Sequence, residues 1–181
     1  MIKDYETRHI FMAIAIGVLF LSPIFLLLFP SLISNSIHFT PGTLFVFVPG
    51  VGYLYYFFAL LFLFCAFFTL FLFDIHKKSI LFCLLFLLLS SFTFVTASQS
   101  YIAFADHSVS FRKNLWNDNH IYAWEEVEQV LFAQESYEYE FTFADGNTWR
   151  ISETSKFREI RSDVLRMVRF SGGEYDVVSS F

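Results

Sequence analysis

The stretch SYEYEFTFADGNTWRIS, residues 136–152, decides how the second half of this chain folds. Tyr137, Tyr139, Phe141 and Phe143 alternate with Glu138, Glu140 and Thr142, the period of a strand with one apolar and one wet face. Two registers compete for the returning strand. A two-residue turn at Asp145 and Gly146 opposes Phe141 with Arg150 and Glu140 with Ile151, which mixes the faces. A three-residue loop, Ala144 to Gly146, opposes Phe141 with Trp149, Tyr139 with Ile151 and Glu140 with Arg150. Only this second register keeps rings with rings and acid with base. It is the one expected, with Gly146 supplying the left-handed residue of a bulged turn.

Working outward, YIAFADHSVSF at 101–111 reads as another hairpin. A loop at Asp106 and His107 places Phe104 opposite Val109 and Ile102 opposite Phe111, all on one face, and makes His107 a turn residue. HIYAW at 120–124 is a third strand after the polar turn Asn117-Asp118-Asn119. Downstream, Ser155 is the expected N-cap of an amphipathic helix in which Phe157, Ile160, Val164, Met167 and Val168 fall within an arc of roughly 100°. That arc is expected to cover the apolar face of the sheet, and Gly172 with Gly173 ends the helix. Arg158, Arg161, Arg166 and Arg169 gather on the opposite side beside Glu159 and Asp163. Such a face is a candidate contact for anionic lipid or phosphate. The interleaved acids favour instead a solvated face with internal ion pairs.

Between the hairpins lies IYAWEEVEQV, residues 121–130. Three glutamates invite an acid/base or calcium reading. General acid catalysis needs a carboxyl with a shifted pKa in a cleft, and calcium needs oxygen ligands at regular loop spacing. The stretch reads better as architecture, with Trp124, Val127 and Val130 inward and Glu125, Glu126 and Glu128 as a wet rim. No nucleophile–base pair, phosphate-cradling glycine loop or basic nucleic-acid stripe appears elsewhere. The histidines at 9, 38, 76, 107 and 120 show neither an i, i+4 pair nor a cysteine at zinc spacing. The expectation is a protein that is not an enzyme, holds no cofactor or metal, and does not bind nucleic acid.

The first half has a different solvent. From His9 through Phe73 there is no Lys, Arg, Asp or Glu, whereas Gln99 to Phe181 carries eight basic and fourteen acidic residues. Three runs are long enough for the roughly 30 Å hydrocarbon core of a bilayer, at 9–30, 49–73 and 79–98. The first is too long for a signal-peptide core and lacks a small-x-small cleavage pattern, so it is expected to be retained. Pro49 and Gly50 open the second, Tyr53, Tyr55 and Tyr56 either suit its headgroup end or pack between helices, and the turn DIHKK joins it to the third in a tight hairpin. Cys65 and Cys83 sit inside the runs as small apolar groups. The chain thus divides into a transmembrane region, 1–98, and a water-exposed domain, 99–181. Lys3, Arg8, Lys77 and Lys78 flank the spans on one side, against Arg112 and Lys113 on the other. This count places the N terminus and the DIHKK turn in the cytoplasm and the C-terminal domain outside a cell membrane. Spans without ionisable groups read as an anchor rather than a transport path.

The strand ending in an aromatic, then Trp124-Glu125-Glu126-Val127 and Val130, then a long strand, the Asp145-Gly146 hairpin and the helix from Lys156, resembles the bacterial pleckstrin-homology-like domains fused to membrane helices. The resemblance covers about residues 101–170. It implies an α+β domain: a strongly bent antiparallel sheet of six or seven strands, closed by the C-terminal helix. Six strands are readable, leaving one missing, very short or hidden in NLWNDN at 114–119. The turn Asp106-His107-Ser108 lacks the basic residues by which eukaryotic relatives hold phosphoinositides, so that activity is not carried over. The implied function is a membrane-anchored, non-catalytic binding or scaffold protein that recognises a protein partner, or a second copy of itself, along a sheet edge. The alternatives are lipid or envelope-surface sensing through the arginine face, and an accessory subunit of a membrane transport or secretion complex.

Overall fold

The computed structural model describes residues 7–181; Lys3, one of the basic residues flanking the first span, lies outside them. In chain order the elements are α1 (Thr7–His38), β1 (Thr43–Phe47), α2 (Gly50–Phe73), α3 (Lys77–Ser98), β2 (Tyr101–Ala105), β3 (Ser108–Arg112) and β4 (His120–Ala123). A single 3-10 turn (Trp124–Glu126) leads into β5 (Val127–Ala133), β6 (Glu138–Phe143), β7 (Thr148–Ser152), α4 (Ser155–Phe170) and β8 (Glu174–Val178). They form two compact units. The helical one takes the chain through His38 with 47–101 and 112–118, and the sheet unit takes 39–46, 102–111 and 119–181.

In the helical unit α1, α2 and α3 are each long and apolar enough to cross a membrane. α1 continues past Pro30 through SLISNSIH, which reads as a polar link in the sequence. At 1.5 Å per residue its 32 residues extend roughly 48 Å, more than the hydrocarbon core requires. α2 packs against both neighbours. Ala66, Leu70 and Cys83 form a small buried cluster with Phe11, Phe86 and Leu87 against it. The Ser90 hydroxyl donates across to the Ala59 carbonyl at 2.8 Å, which satisfies a polar group that lipid would not. Most side chains on these helices face outward: in α1 the buried residues are Ala15, Pro30 and Ser34. Where α1 ends, His38 stacks on Tyr101 at 3.8 Å and its Nε2 donates to the Ser98 carbonyl at 3.0 Å.

The sheet unit holds two four-stranded sheets, ordered β1-β2-β3-β4 and β7-β6-β5-β8. This corrects the expected count of six or seven strands. Both additions come from segments without clear alternation. β1, TLFVF, is drawn from the link between α1 and α2. It follows Gly42 (φ 88°), whose carbonyl accepts from the Asp106 N–H at 2.9 Å. Strands in one sheet share one compartment. The α1–α2 link and the chain after α3 therefore lie on the same side of any membrane that α2 and α3 cross. β8 follows Gly172 (φ 95°) and runs parallel to β5, pairing Gln129 with Glu174 through Ala133 with Val178.

The hairpin at 138–152 has the expected register, with Phe141 opposite Trp149, Glu140 opposite Arg150 and Tyr139 opposite Ile151. Gly146 adopts φ 81°. Tyr137 departs from expectation: it stands outside β6 at φ 53°, exposed, and its carbonyl accepts from the Glu153 N–H at 2.7 Å. β5 carries a bulge between Val127 and Gln129. The cap of α4 is Thr154 rather than Ser155, its Oγ1 accepting from the Phe157 N–H at 3.1 Å. Phe157, Ile160, Val164 and Val168 are buried, and Met167 only partly. Phe104 lies at the centre of the core, 5.7 Å from Phe157, 6.3 Å from Trp124 and 6.2 Å from Trp149, ring to ring. Each such buried side chain contributes roughly 1.5–3 kcal/mol.

Candidate interaction surfaces of the sheet unit

The turn at Trp124 is fixed from several directions. The indole Nε1–H donates to the Ala105 carbonyl at 2.9 Å, and the Trp124 N–H to the His107 carbonyl at 3.3 Å. Trp124, Val127 and Val130 are all buried. The three glutamates, alike in the sequence, then separate. Glu126 turns its carboxylate back to accept from the Ala123 N–H at 2.7 Å, while its carbonyl accepts from the Ala144 N–H at 2.8 Å. Glu126 thus closes the 3-10 turn and ties it to the hairpin, whereas Glu125 and Glu128 face solvent. The spacing from Ala123 to Glu126 is that of a helix-start carboxylate, the signal that distinguishes it.

The four arginines of α4 do not pool into one positive surface. Arg158 and Arg161 both reach Glu153, at 3.4 and 3.2 Å, and the Glu153 side chain is only 5% exposed. The buried Tyr139 hydroxyl donates to the same carboxylate at 3.3 Å. Burial holds that phenol above its ordinary pKa, and the Arg161 guanidinium is held up chiefly by its hydrogen bond to Tyr139. Arg166 pairs with Asp163 at 3.0 Å, and Arg169 lies over the Tyr175 ring of β8 at 5.8 Å. Sequence reasoning expected Glu159 beside them. It missed Glu153, which precedes the helix cap and so lies off the helical wheel on which the arginines were placed.

A second polar group clasps the 143–147 turn. The Tyr122 hydroxyl donates to Asp145 Oδ2 at 2.8 Å, Asn147 Nδ2 donates to the Tyr122 oxygen at 2.9 Å, and the Asn147 N–H donates to Asp145 Oδ1 at 2.9 Å. The bond from the Asn147 N–H holds the Asp145 carboxyl below its ordinary pKa, while burial raises the Tyr122 phenol. Every lone pair used here serves the turn.

β7 forms one edge of its sheet. The Phe143 N–H donates to the Asn147 carbonyl, and in an antiparallel ladder hydrogen-bonded pairs alternate. Phe141–Trp149 and Tyr139–Ile151 are therefore bonded pairs, and the Glu153 N–H pointing to the Tyr137 carbonyl continues the series. It follows that the backbone N–H and C=O groups of Thr148, Arg150 and Ser152 point away from β6 to the open edge. The opposite edge strand, β8, exposes Glu174 and Asp176, charges of the kind that discourage strand addition.

Among the described residues no three His, Cys, Asp or Glu side chains stand close enough to hold a metal ion. Comparison with protein-family models, with curated proteins and with solved structures gave no match.

Proposed function

We propose that the sheet unit is a pleckstrin-homology-like module held at a membrane by three spans, and that it binds a protein partner without catalysis. The fold reading draws support from the seven strands that precede α4, four in one sheet and three in the other. The strand wanted by the resemblance is then β1, contributed by the link between two spans. The functional reading rests on one observation, the open edge of β7. Three residues there present backbone donors and acceptors in line, and an extended segment of another chain satisfies them by adding a strand. Their side chains alternate with the buried Trp149 and Ile151, so the added strand meets a fixed, rigid template. Lipid sensing through α4 is the weaker reading, because its four arginines already face Glu153, Asp163 and Tyr175. By the Lys/Arg count the module lies on the outer side of a cell membrane.

The test uses the full-length chain in its native membrane with a photo-crosslinking residue at Thr148. Arg150→Ala removes the side chain and leaves the edge intact. Arg150→Pro also removes the outward N–H, and it takes no hydrogen bond from the β6–β7 ladder because that group has no partner in β6. An adduct that survives Arg150→Ala and disappears in Arg150→Pro is expected. An adduct indifferent to the proline, or none at Thr148, overturns strand addition at this edge.

A further inference from the structure

The segment joining β3 to β4 exposes a tryptophan that its surroundings hold rigidly outward. Trp116 is 65% exposed, a large apolar cost in water for one side chain. Its loop is not loose. Arg112 donates through Nε to the Asn117 carbonyl at 2.9 Å, through Nη2 to the Leu115 carbonyl at 2.7 Å and through Nη1 to Gln99 Oε1 at 3.3 Å. Asn114 Oδ1 accepts from the N–H groups of both Trp116 and Asn117 at 3.0 Å. The Ser100 hydroxyl donates to the Lys113 carbonyl at 2.6 Å. Gln99 and Ser100 directly follow α3, so the loop is fastened to the end of a spanning helix, and residues 112–118 belong to the helical unit.

The ring meets that helix on its outer surface. Trp116 packs edge-on against Phe92 with centroids 5.6 Å apart, and Phe92 is itself 49% exposed. Leu85, Leu88, Phe92 and Val95 are all exposed at helical spacing, so Trp116 continues a stripe that faces lipid along α3. Phe92 lies six residues from Ser98, the last residue of α3, or about 9 Å along the axis. Trp116 is therefore near the end of the span that leads to the headgroups, the zone in which an indole places its apolar body in lipid and its N–H among polar groups. Lys113, three residues before it in the same loop, is exposed and carries an ammonium suited to lipid phosphate.

We infer that the Leu115–Trp116 loop is an interfacial membrane anchor, and that its partner is the headgroup–acyl boundary of the bilayer rather than another protein. The chain then meets the membrane a fourth time without crossing it.

The test labels the full-length chain with 5-fluorotryptophan in phospholipid nanodiscs, where three resonances report Trp116, Trp124 and Trp149 and Trp116→Phe assigns the first. Loss of the Trp116 signal with a nitroxide near the headgroup end of the acyl chain, and its retention with a water-soluble gadolinium chelate, is expected. Asn114→Ala, which releases the turn, is expected to restore part of the lost signal. Loss with the chelate alone shows the ring in water and overturns the inference. Loss only with a nitroxide at the chain terminus, or retention with every agent, places the ring elsewhere and overturns it equally.

Discussion

Phenylalanine is the commonest aromatic in both units, and it behaves oppositely in them. In the sheet unit Phe104, Phe141, Phe143 and Phe157 are wholly buried, whereas Phe20, Phe58, Phe82 and Phe92 on the spanning helices are open. The side chain is the same and the transfer free energy per unit area is the same. The difference lies in what each surface is suited to: the sheet unit must remove rings from water, whereas helices apolar enough to cross a membrane need only avoid offering lipid a polar group. Stability in the sheet unit is therefore concentrated in a few packed side chains, and in the helices it is spread thinly over backbone hydrogen bonds and small-residue contacts.

The sharpest way to break this contrast is a pair of truncations in the full-length chain, followed by near-ultraviolet circular dichroism during denaturation. Phe141→Ala in the sheet core is expected to cost about 3–5 kcal/mol. Leu88→Ala, at a residue 69% exposed on α3, removes little contact with protein and is expected to leave the transition within about 0.5 kcal/mol of the parent. Equal losses from the two would show that α3 buries Leu88 against protein.

A smaller effect tests how tightly β8 is held. A Cβ on Gly173 would come within 2.6 Å of the Val127 carbonyl and 2.8 Å of Val168 Cγ1, so Gly173→Ala must move backbone. About 1–3 kcal/mol of destabilisation is expected, and unchanged stability would mean that the α4–β8 connection yields freely. Removing the helix cap with Thr154→Ala should cost about 1 kcal/mol, read from the same transition, with Ser155→Ala close to neutral. The reverse ranking would return the cap to Ser155.

Acid gives the smallest effect. The folded chain holds the Asp145 carboxyl below its ordinary pKa, so its contribution is present above the unfolded value and lost as pH falls through the folded one. Asp145→Asn should flatten the acid limb of the stability profile by that contribution alone. An unaltered limb would show that the clasp does not favour the carboxylate.

The hairpin at 138–152 was legible because both of its faces carry information: a slip by one residue would have set Phe141 against Arg150, and nothing else in the segment compensates for that. β1 was hidden for the contrary reason. TLFVF lies between two membrane runs and merges with their apolarity, so a strand there differs from spanning helix only by the partner that arrives with β2. β8 was hidden by exposure, since EYDVV buries little and has no alternation to read. The cap of α4 was a choice between adjacent hydroxyls that composition cannot make. In the candidate site the inward positions of Trp124, Val127 and Val130 were readable, because their spacing is itself the signal. The roles of Glu126 and Glu153 required knowing which backbone N–H or guanidinium the fold brings to each carboxylate.

The origin of β1 in the first interhelical link sets an order on synthesis. Roughly fifty residues separate β1 from β2, several seconds of elongation at about 5–20 residues per second, and in that interval α2 and α3, each apolar enough to cross a membrane, are made. A newly made TLFVF waits without its sheet neighbour until the hairpin has inserted and returned the chain to the same face. A hairpin with one of its two crossings missed leaves β1 and β2 on opposite sides of the membrane and the sheet short of a strand. Pairing of β1 with β2 therefore requires that both crossings, or neither, have been made.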